Sequence, residues 1–144
     1  MANEMSLLIN LPFNTFFKYL GQPVSISINY KVSEAISLMK IKGIGSTVVV
    51  DDKNHPIGIF TERDFLLKCS EMSEDDLKKL NVEKVMTKNL VTVKENSPLR
   101  VGLGFMRLKK FRHLVVVNEN KELLKVFSIK DFLDLFIDRE ESIA

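Results

Sequence analysis

The sequence predicts an α+β protein made of two β-α-β-β-α repeats that are related by a pseudo-twofold axis. Three observations lead to this fold class. The chain has 144 residues, which is enough for one domain or for two small halves that share a core. Segment 24–68 matches segment 91–135 without a gap when the chain is shifted by 67 residues against itself. Each copy contains both strand-like apolar runs and a run with helical spacing.

The two copies agree in short runs as well as in outline. The triplet Val-Val-Val at 48–50 falls on the same triplet at 115–117, and Asp-Phe-Leu at 64–66 falls on Asp-Phe-Leu at 131–133. A unit this small cannot bury both faces of its sheet alone, so two units are expected to share a core, as repeat units commonly do. The predicted organisation is an N-terminal extension (1–13), repeat 1 (14–72), a linker helix (73–80), repeat 2 (81–138) and a tail (139–144).

Each copy is predicted to open with a short strand, at 24–28 and 90–94, followed by a helix. In the first copy apolar residues at 32, 35, 36 and 39 follow the i, i+3, i+4, i+7 rule of one helix face, and Gly43 is the expected C-cap. In the second copy Ser97 is the expected N-cap. Pro98 would occupy the first helical position, where a missing N–H costs nothing.

The rest of each copy is predicted to form two strands and a second helix. A β-branched strand at 47–50 leads through a polar turn to a strand at 57–60, and the second copy repeats this order. The second helix begins at a Thr/Ser-x-x-Asp motif, which is Thr61 to Asp64 in one copy and Ser128 to Asp131 in the other. Between the copies, Ser73 is the expected N-cap of a short linker helix.

Composition excludes several classes of protein. Hydrophobic residues make up 45% and charged residues 28%, as in an ordinary globular domain, and a net charge of +2 is too weak to argue for a nucleic acid or a membrane. The lone Cys69 excludes an internal disulfide and a cysteine-based zinc cluster. No segment approaches the roughly 20 apolar residues of a membrane span, and the N-terminus does not resemble a signal peptide. We therefore expect a cytoplasmic protein.

From about residue 14 to residue 136 the sequence resembles a tandem pair of cystathionine-β-synthase (CBS) domains, also called a Bateman module. The resemblance rests on SEAISLM at 33–39, on STVVVDDKNHPIGIFTERD at 46–64, and on the second copies of both. It implies a regulatory module, standing alone, that binds an adenine nucleotide or adenosyl compound (AMP, ADP, ATP or S-adenosylmethionine) in the cleft between the repeats. No cofactor is required for such a role.

The two Thr/Ser-x-x-Asp motifs permit two interpretations. Each is a capping box, which stabilises a helix start by about 1 kcal/mol. A capping box prefers Glu or Gln at its third position, however, and both copies use the shorter Asp. A carboxylate at a helix start can also accept two hydrogen bonds from a ribose diol, while the helix N-terminus favours a phosphate. The resemblance implies this second use, and the spacing permits it.

The resemblance also groups the predicted ligand-binding residues into two pockets, each combining one motif with the first strand of the other repeat. The first pocket would be formed by Ile59, Thr61, Arg63 and Asp64 with Thr92 and Val93. The second would be formed by Val126, Ser128 and Asp131 with Ser25 and Ile26, and with Arg112 and His113 at a position that holds basic phosphate ligands in the family. Lys125 replaces the glycine that the first copy has at Gly58.

One alternative function is a dimerisation or interaction module that binds no ligand. Apolar residues at 65, 66, 132 and 133 would then pack one pair of repeats against another, and a homodimer through the helices after each motif is expected on either interpretation. The sequence does not name a regulated partner protein. Catalysis is not expected, because two His and one Cys show no catalytic or metal-ligand spacing. The basic run at 106–113 lacks aromatic interleaving, so a nucleic-acid partner is not expected either.

Overall fold

A computed structural model describes the backbone of residues 3–109 and 111–143 and the side chains of residues 3–108 and 111–137. The helices are α1 (Glu4–Ile9), α2 (Val32–Lys42), α3 (Glu62–Cys69), α4 (Glu74–Lys79), α5 (Leu99–Lys109) and α6 (Ile129–Ile143). The strands are β1 (Ser25–Ser27), β2 (Ser46–Val50), β3 (Pro56–Thr61), β4 (Thr92–Lys94), β5 (His113–Val117) and β6 (Leu123–Ser128). Two 3₁₀ helices, Phe13–Tyr19 and Val82–Lys84, precede the first strand of each copy. Within these described residues no helix is both long enough and apolar enough to span a bilayer.

The strands form two three-stranded sheets of the same design, which confirms the predicted α+β repeats. The sheet orders are β1-β2-β3 and β4-β5-β6, with the first pair parallel and the second antiparallel in each sheet. The antiparallel pairs share one irregularity of register, between residues 49 and 50 and again between 116 and 117. This register places Thr61 opposite Ser46 and Ser128 opposite His113. Each motif hydroxyl therefore has a defined neighbour across the strand.

The chain folds into two compact units. Each unit combines one sheet with the chain segment that comes just before the first strand of the other sheet. The β1–β3 unit is Val24–Leu90, and the β4–β6 unit joins Met1–Pro23 to Val91–Ala144. We call residues 14–23 and 81–90 the lead-in segments. The lead-in at 14–23, which the sequence repeat groups with the first copy, thus lies in the unit of the second sheet. The lead-in at 81–90 lies in the unit of the first sheet.

Phenylalanine rings form the centre of the β4–β6 unit. Phe13 lies edge-on to Phe127, with ring centroids 5.1 Å apart, and edge-on to Phe132 at 6.4 Å. All three side chains are buried in one apolar cluster. The placement of Phe132 on an exposed dimer surface was wrong: this side chain is only 3% exposed, because α6 turns it onto the sheet. Leu133, the next residue, carries the exposed apolar surface instead.

The β1–β3 unit has its own apolar cluster, to which the lead-in at 81–90 contributes. Phe60 from β3 packs there with Cys69, Val82 and Met86. Burial raises the pKa of the Cys69 thiol, so this sulfur stays protonated at neutral pH and acts as a core group. Gly58 leaves the room that Met86 occupies, because a Cβ at this position would collide with the Met86 side chain.

The helix ends follow the predicted signals with one correction. Gly43 caps α2 in the left-handed conformation (φ 64°), and the Ser73 side chain accepts a hydrogen bond from the Asp76 N–H at the start of α4. Both of these predictions are confirmed. The prediction that Pro98 begins α5 was wrong by one position. Pro98 is held in an antiparallel bridge with Pro12, and the helix begins at Leu99.

The first prediction concerns the contribution of the lead-in at 14–23 and its flanking Phe13 to the second sheet. Replacing Phe13→Ala removes a fully buried ring from the aromatic cluster and should lower the free energy of unfolding by about 3–5 kcal/mol. Tyr19→Ala is the control, because Tyr19 is 60% exposed and should change stability by about 0.5 kcal/mol or less. Urea unfolding of the full chain measures both values. Equal losses in the two variants would show that Phe13 is not a core residue.

Candidate functional site

Both Thr/Ser-x-x-Asp motifs form reciprocal capping boxes. Thr61 donates to Oδ2 of Asp64 through its backbone N–H (3.0 Å) and its hydroxyl (3.1 Å), and its hydroxyl oxygen accepts the Asp64 N–H (3.1 Å). Ser128 and Asp131 repeat the three bonds at 2.7, 3.0 and 3.2 Å. The shorter Asp therefore also completes a reciprocal capping box. In both copies capping uses one carboxylate oxygen, so the surroundings of the other oxygen decide whether a ligand can be held.

In the first copy internal donors occupy the other oxygen as well. Oδ1 of Asp64 accepts a hydrogen bond from the Thr87 hydroxyl (2.8 Å) and from the Lys68 ammonium (3.1 Å). Lys68 also donates to the carbonyl of Val85 (2.8 Å), which ties α3 to the lead-in segment at 81–90. Asp64 is only 5% exposed. A buried carboxylate is stable only when it is paired and hydrogen-bonded, and Lys68 and Thr87 meet that requirement.

In the second copy the same two donors are missing. The position that corresponds to Lys68 is Leu135, and the position that corresponds to Thr87 is Leu20. Neither leucine side chain has an atom that could donate a hydrogen bond. Asp131 is half-buried, and its carboxylate accepts both hydrogen bonds from Ser128 on Oδ2. Among the side chains that the structure describes, none donates to Oδ1 of Asp131 as Lys68 and Thr87 donate to Oδ1 of Asp64.

The outer edge of the last strand also differs between the copies: its backbone groups are bonded in the first copy and open in the second. In the first copy Ile59 donates its N–H to the Thr87 carbonyl (2.9 Å) and accepts the Thr87 N–H (2.8 Å). The equivalent residue is Val126, which pairs with Val115 in the same register as Ile59 with Val48. Its N–H and C=O therefore point to the outer edge of β6. In the part of the chain that the structure describes, Val126 forms no bridge there. An edge with open backbone groups is able to pair with a further hydrogen-bonding partner.

Two basic residues lie beside the second motif, and their role as phosphate ligands stays a prediction. His113 is opposite Ser128 on the neighbouring strand, and the carbonyl of Arg112 accepts the N–H of Ile129, the first residue of α6 (3.1 Å). Burial lowers the pKa of the His113 imidazole from its ordinary 6.5, the carboxylate of Asp131 raises it, and Arg112 lowers it further. His113 is therefore neutral at neutral pH. The exposed Arg112 supplies the positive charge at this helix start.

Lys125, which replaces the motif glycine, has a structural explanation. Gly58 is required in the first copy because Met86 packs over it. Met86 corresponds to Tyr19, which is exposed, so the second copy has no side chain to accommodate. Lys125 instead donates to the backbone carbonyl of Gly21 (3.1 Å). The change thus adapts β6 to its own lead-in segment and leaves the Ser128 capping box intact.

The remaining predicted residues lie on α3, β1 and β4. Arg63 is exposed on the first turn of α3. Ser25 and Thr92 are exposed on β1 and β4, whereas Ile26 and Val93 are buried beside them. Thr92 and Val93 belong to the β4–β6 unit, and Ser25 and Ile26 belong to the β1–β3 unit. Their grouping with the motif of the other unit stays a prediction.

A surface cavity of about 550 Å³ opens on the β1–β3 unit beside α3. It is lined by apolar side chains of α2 and α3, by the backbone at Gly45, and by Lys40 and Glu62. The predicted ligand-binding residues Ile59, Thr61 and Asp64 do not belong to its lining.

Lys68 and Thr87 were not among the predicted site residues, although they decide the state of Asp64. Their signal was present in the sequence. At the 67-residue offset both positions change from a donor to a leucine, while the motif itself is kept. The segment at 81–90 had been assigned to the second repeat, so a contact with the first motif was not expected.

The CBS domain family matches residues 21–71 and 82–138 of this chain. The chain belongs to the CBS-domain family, as a tandem pair. An uncharacterized 17.7 kDa protein of Acidianus ambivalens is 36% identical over 110 residues, which cover 76% of this chain and 65% of that protein. Inosine-5'-monophosphate dehydrogenase of Haemophilus influenzae is 34% identical over 115 residues, which cover 78% of this chain and 22% of the enzyme. The chain spans about a fifth of that enzyme, and the match lies in its CBS domains, so it is no evidence of catalysis.

Solved CBS-domain structures share this fold. A putative signal-transduction protein with CBS domains from Burkholderia ambifaria superposes with a TM-score of 0.73 at 29% identity, covering 88% of this chain and 94% of that chain. A CBS domain protein from Pyrobaculum aerophilum superposes with a TM-score of 0.72 at 25% identity, covering 84% of this chain and 89% of that chain. The Pyrobaculum protein was crystallised in complex with AMP.

The second prediction concerns His113 and pH. Its pKa in the folded chain lies below 6.5, so the unfolded chain binds more protons, and stability falls as pH drops through about 6.5 toward the folded pKa. The His113→Gln variant lacks this loss. The stability difference between wild type and variant should therefore shift against the wild type from about pH 7.5 to about pH 5. Urea unfolding across this range measures it, and parallel pH profiles would contradict the prediction.

Proposed function

We propose that this chain is a regulatory ligand-sensing module that binds an adenine nucleotide or an adenosyl compound of the AMP, ADP, ATP or S-adenosylmethionine type. The observation that carries the proposal is the Asp131 carboxylate. One of its oxygens holds the start of α6, and the other lacks the internal donors that its counterpart has. Membership of the CBS-domain family and the AMP complex of the Pyrobaculum neighbour support an adenosine-containing ligand.

Each part of such a ligand has a chemical partner near Asp131. The two ribose hydroxyls donate to Oδ1, as charge-assisted bonds of about 1.5–3 kcal/mol each. The adenine edge meets the open backbone groups of Val126. A phosphate is attracted by Arg112 and by the N-terminal dipole of α6, and the neighbouring His113 is neutral. That the ligand lies between the two repeats, against Ser25 and Ile26, stays a prediction from the resemblance.

The third prediction tests this function by calorimetry on the full chain. Asp131→Asn replaces a charged acceptor by a neutral amide and should weaken the binding of AMP by about tenfold or more. Asp134→Asn is the matched control, since Asp134 lies one turn along α6 and, among the described residues, forms an exposed ion pair with Lys130 (3.7 Å). Its affinity should equal that of the wild type.

Three results would count against the function. The first is an Asp131→Asn protein that binds AMP as tightly as the wild type does. The second is an equal loss in the Asp134→Asn control. The third is a wild-type protein that binds none of AMP, ADP, ATP and S-adenosylmethionine, and from which mass spectrometry recovers no co-purifying adenosine compound.

A second candidate function, dimerisation through the helices after each motif, is favoured by exposed apolar side chains. Leu66 on α3 is 65% exposed and its counterpart Leu133 on α6 is 53% exposed. Ile129, Leu133 and Ile137 are all exposed and recur every four residues, which places them along one side of α6. We propose a homodimer that buries these side chains. It is compatible with ligand binding and would give a regulated partner protein a two-sided surface.

The fourth prediction tests the homodimer. The wild-type chain should have twice its chain mass by light scattering at micromolar concentration, because burial of the α6 apolar side chains favours association. The double variant Leu133→Glu with Ile137→Glu should be monomeric. Lys130→Glu is the control for added negative charge on the same helix, and it should remain a dimer. A monomeric wild type, or a dimeric double variant, would contradict the proposed interface.

A further inference from the structure

We infer that Lys68 and Thr87 occupy the Asp64 carboxylate with hydrogen bonds inside the protein. The first motif then serves structure alone, and the chain binds one ligand, at Asp131, and not two. The inference rests on the proposed function. It goes beyond the repeat pattern, which treats the two motifs as equivalent.

The hydrogen-bond capacity of the two carboxylates carries the inference. An ionised carboxylate has about four acceptor sites. Asp64 receives four donors from within the unit: the Thr61 N–H and hydroxyl, the Lys68 ammonium and the Thr87 hydroxyl. Asp131 receives two, both on Oδ2. The capacity left at Asp131 matches the two hydroxyls of a ribose diol, whereas a diol at Asp64 must displace bonds that already exist.

Displacing those bonds is unfavourable for the rest of the unit. Lys68 would lose its charge partner, and its link between α3 and the Val85 carbonyl would weaken. Thr87 would lose its side-chain acceptor, although it is also held by two backbone bonds to Ile59. A ligand hydroxyl gains little when it replaces a donor of the same kind, because the displaced donor must then find another acceptor.

The strand edge gives a second, independent argument. A nucleobase that used the backbone of β3 at Ile59 would have to break the bridge between Ile59 and Thr87. At the equivalent Val126 there is no such bridge among the described residues. Thr87 thus occupies two ligand-binding groups of the first copy. Its hydroxyl bonds to the Asp64 carboxylate, and its main chain bonds to the strand edge at Ile59. Leu20, its counterpart, does neither in the second copy.

The test is a set of calorimetric titrations with AMP on the full chain. The wild type should bind one equivalent per chain. Asp131→Asn should reduce affinity by about tenfold or more, and Asp64→Asn should leave affinity and stoichiometry unchanged while it lowers the urea midpoint of unfolding. One variant thus loses affinity and the other loses stability. Two equivalent binding sites would not give this difference between the variants.

A double variant separates the two arguments. Lys68→Leu with Thr87→Leu removes both donors from Oδ1 of Asp64 but keeps the main-chain bridge between Ile59 and Thr87, so the strand edge stays occupied and the stoichiometry should remain one, provided that circular dichroism shows a folded chain. Two equivalents bound by the wild type, or one equivalent that is lost in Asp64→Asn and kept in Asp131→Asn, would overturn the inference. If Asp64→Asn does not fold, an Asp131→Asn protein that still binds one equivalent at wild-type affinity overturns it equally. A wild type that binds no adenosyl compound defeats the proposed function itself, which is a different outcome.

Discussion

The reciprocal bond pair between a cap hydroxyl and an aspartate three residues later is the constraint on which the site depends. It fixes where α3 and α6 begin, and it turns each carboxylate so that Oδ2 serves the helix. Only Oδ1 then remains to be assigned. Because the sheet register and its irregularity are the same in both copies, the two carboxylates start from the same local geometry. What differs is the set of neighbours that a distant segment supplies.

That distant segment is the lead-in. Each lead-in lies in the unit of the other copy's sheet, which explains why two similar motifs have different surroundings. The lead-in at 81–90 brings Met86 and Thr87 to the first sheet, where they pack over Gly58 and bond to Asp64. The lead-in at 14–23, with Phe13 just before it, brings an aromatic ring and Leu20 to the second sheet, which strengthens its core and gives Asp131 no donor. At the 67-residue offset both copies have the hydroxyl and the carboxylate of the motif, whereas their lead-ins present different side chains to it.

The sequence was sufficient for the fold and for the position of both motifs, because these depend on local patterns that the repeat presents twice. Helix caps at Gly43 and Ser73 belong to the same class, since a cap is determined by its neighbours in the chain. The state of Asp64 was not predictable in this way. Its partner Thr87 is 23 residues away and belongs, by repeat, to the other copy. The burial of Phe132 was missed for a related reason, since the apolar pair at 132–133 does not itself show which residue faces the sheet.

The two aspartates illustrate two ways of keeping a carboxylate charged. Asp64 is almost fully buried, so its charge must be balanced inside the protein, and Lys68 does so at 3.1 Å. Asp131 is half-buried, so water can balance its charge when no ligand is present. On the proposed function, a ligand diol would exchange with water at Asp131, which is less costly than displacing the Lys68 ammonium from Asp64. A neutral His113 suits that function, because a charged imidazolium beside Asp131 would compete with the ligand for the carboxylate. Asp131 is thus more accessible to a ligand than Asp64, because it is only half-buried.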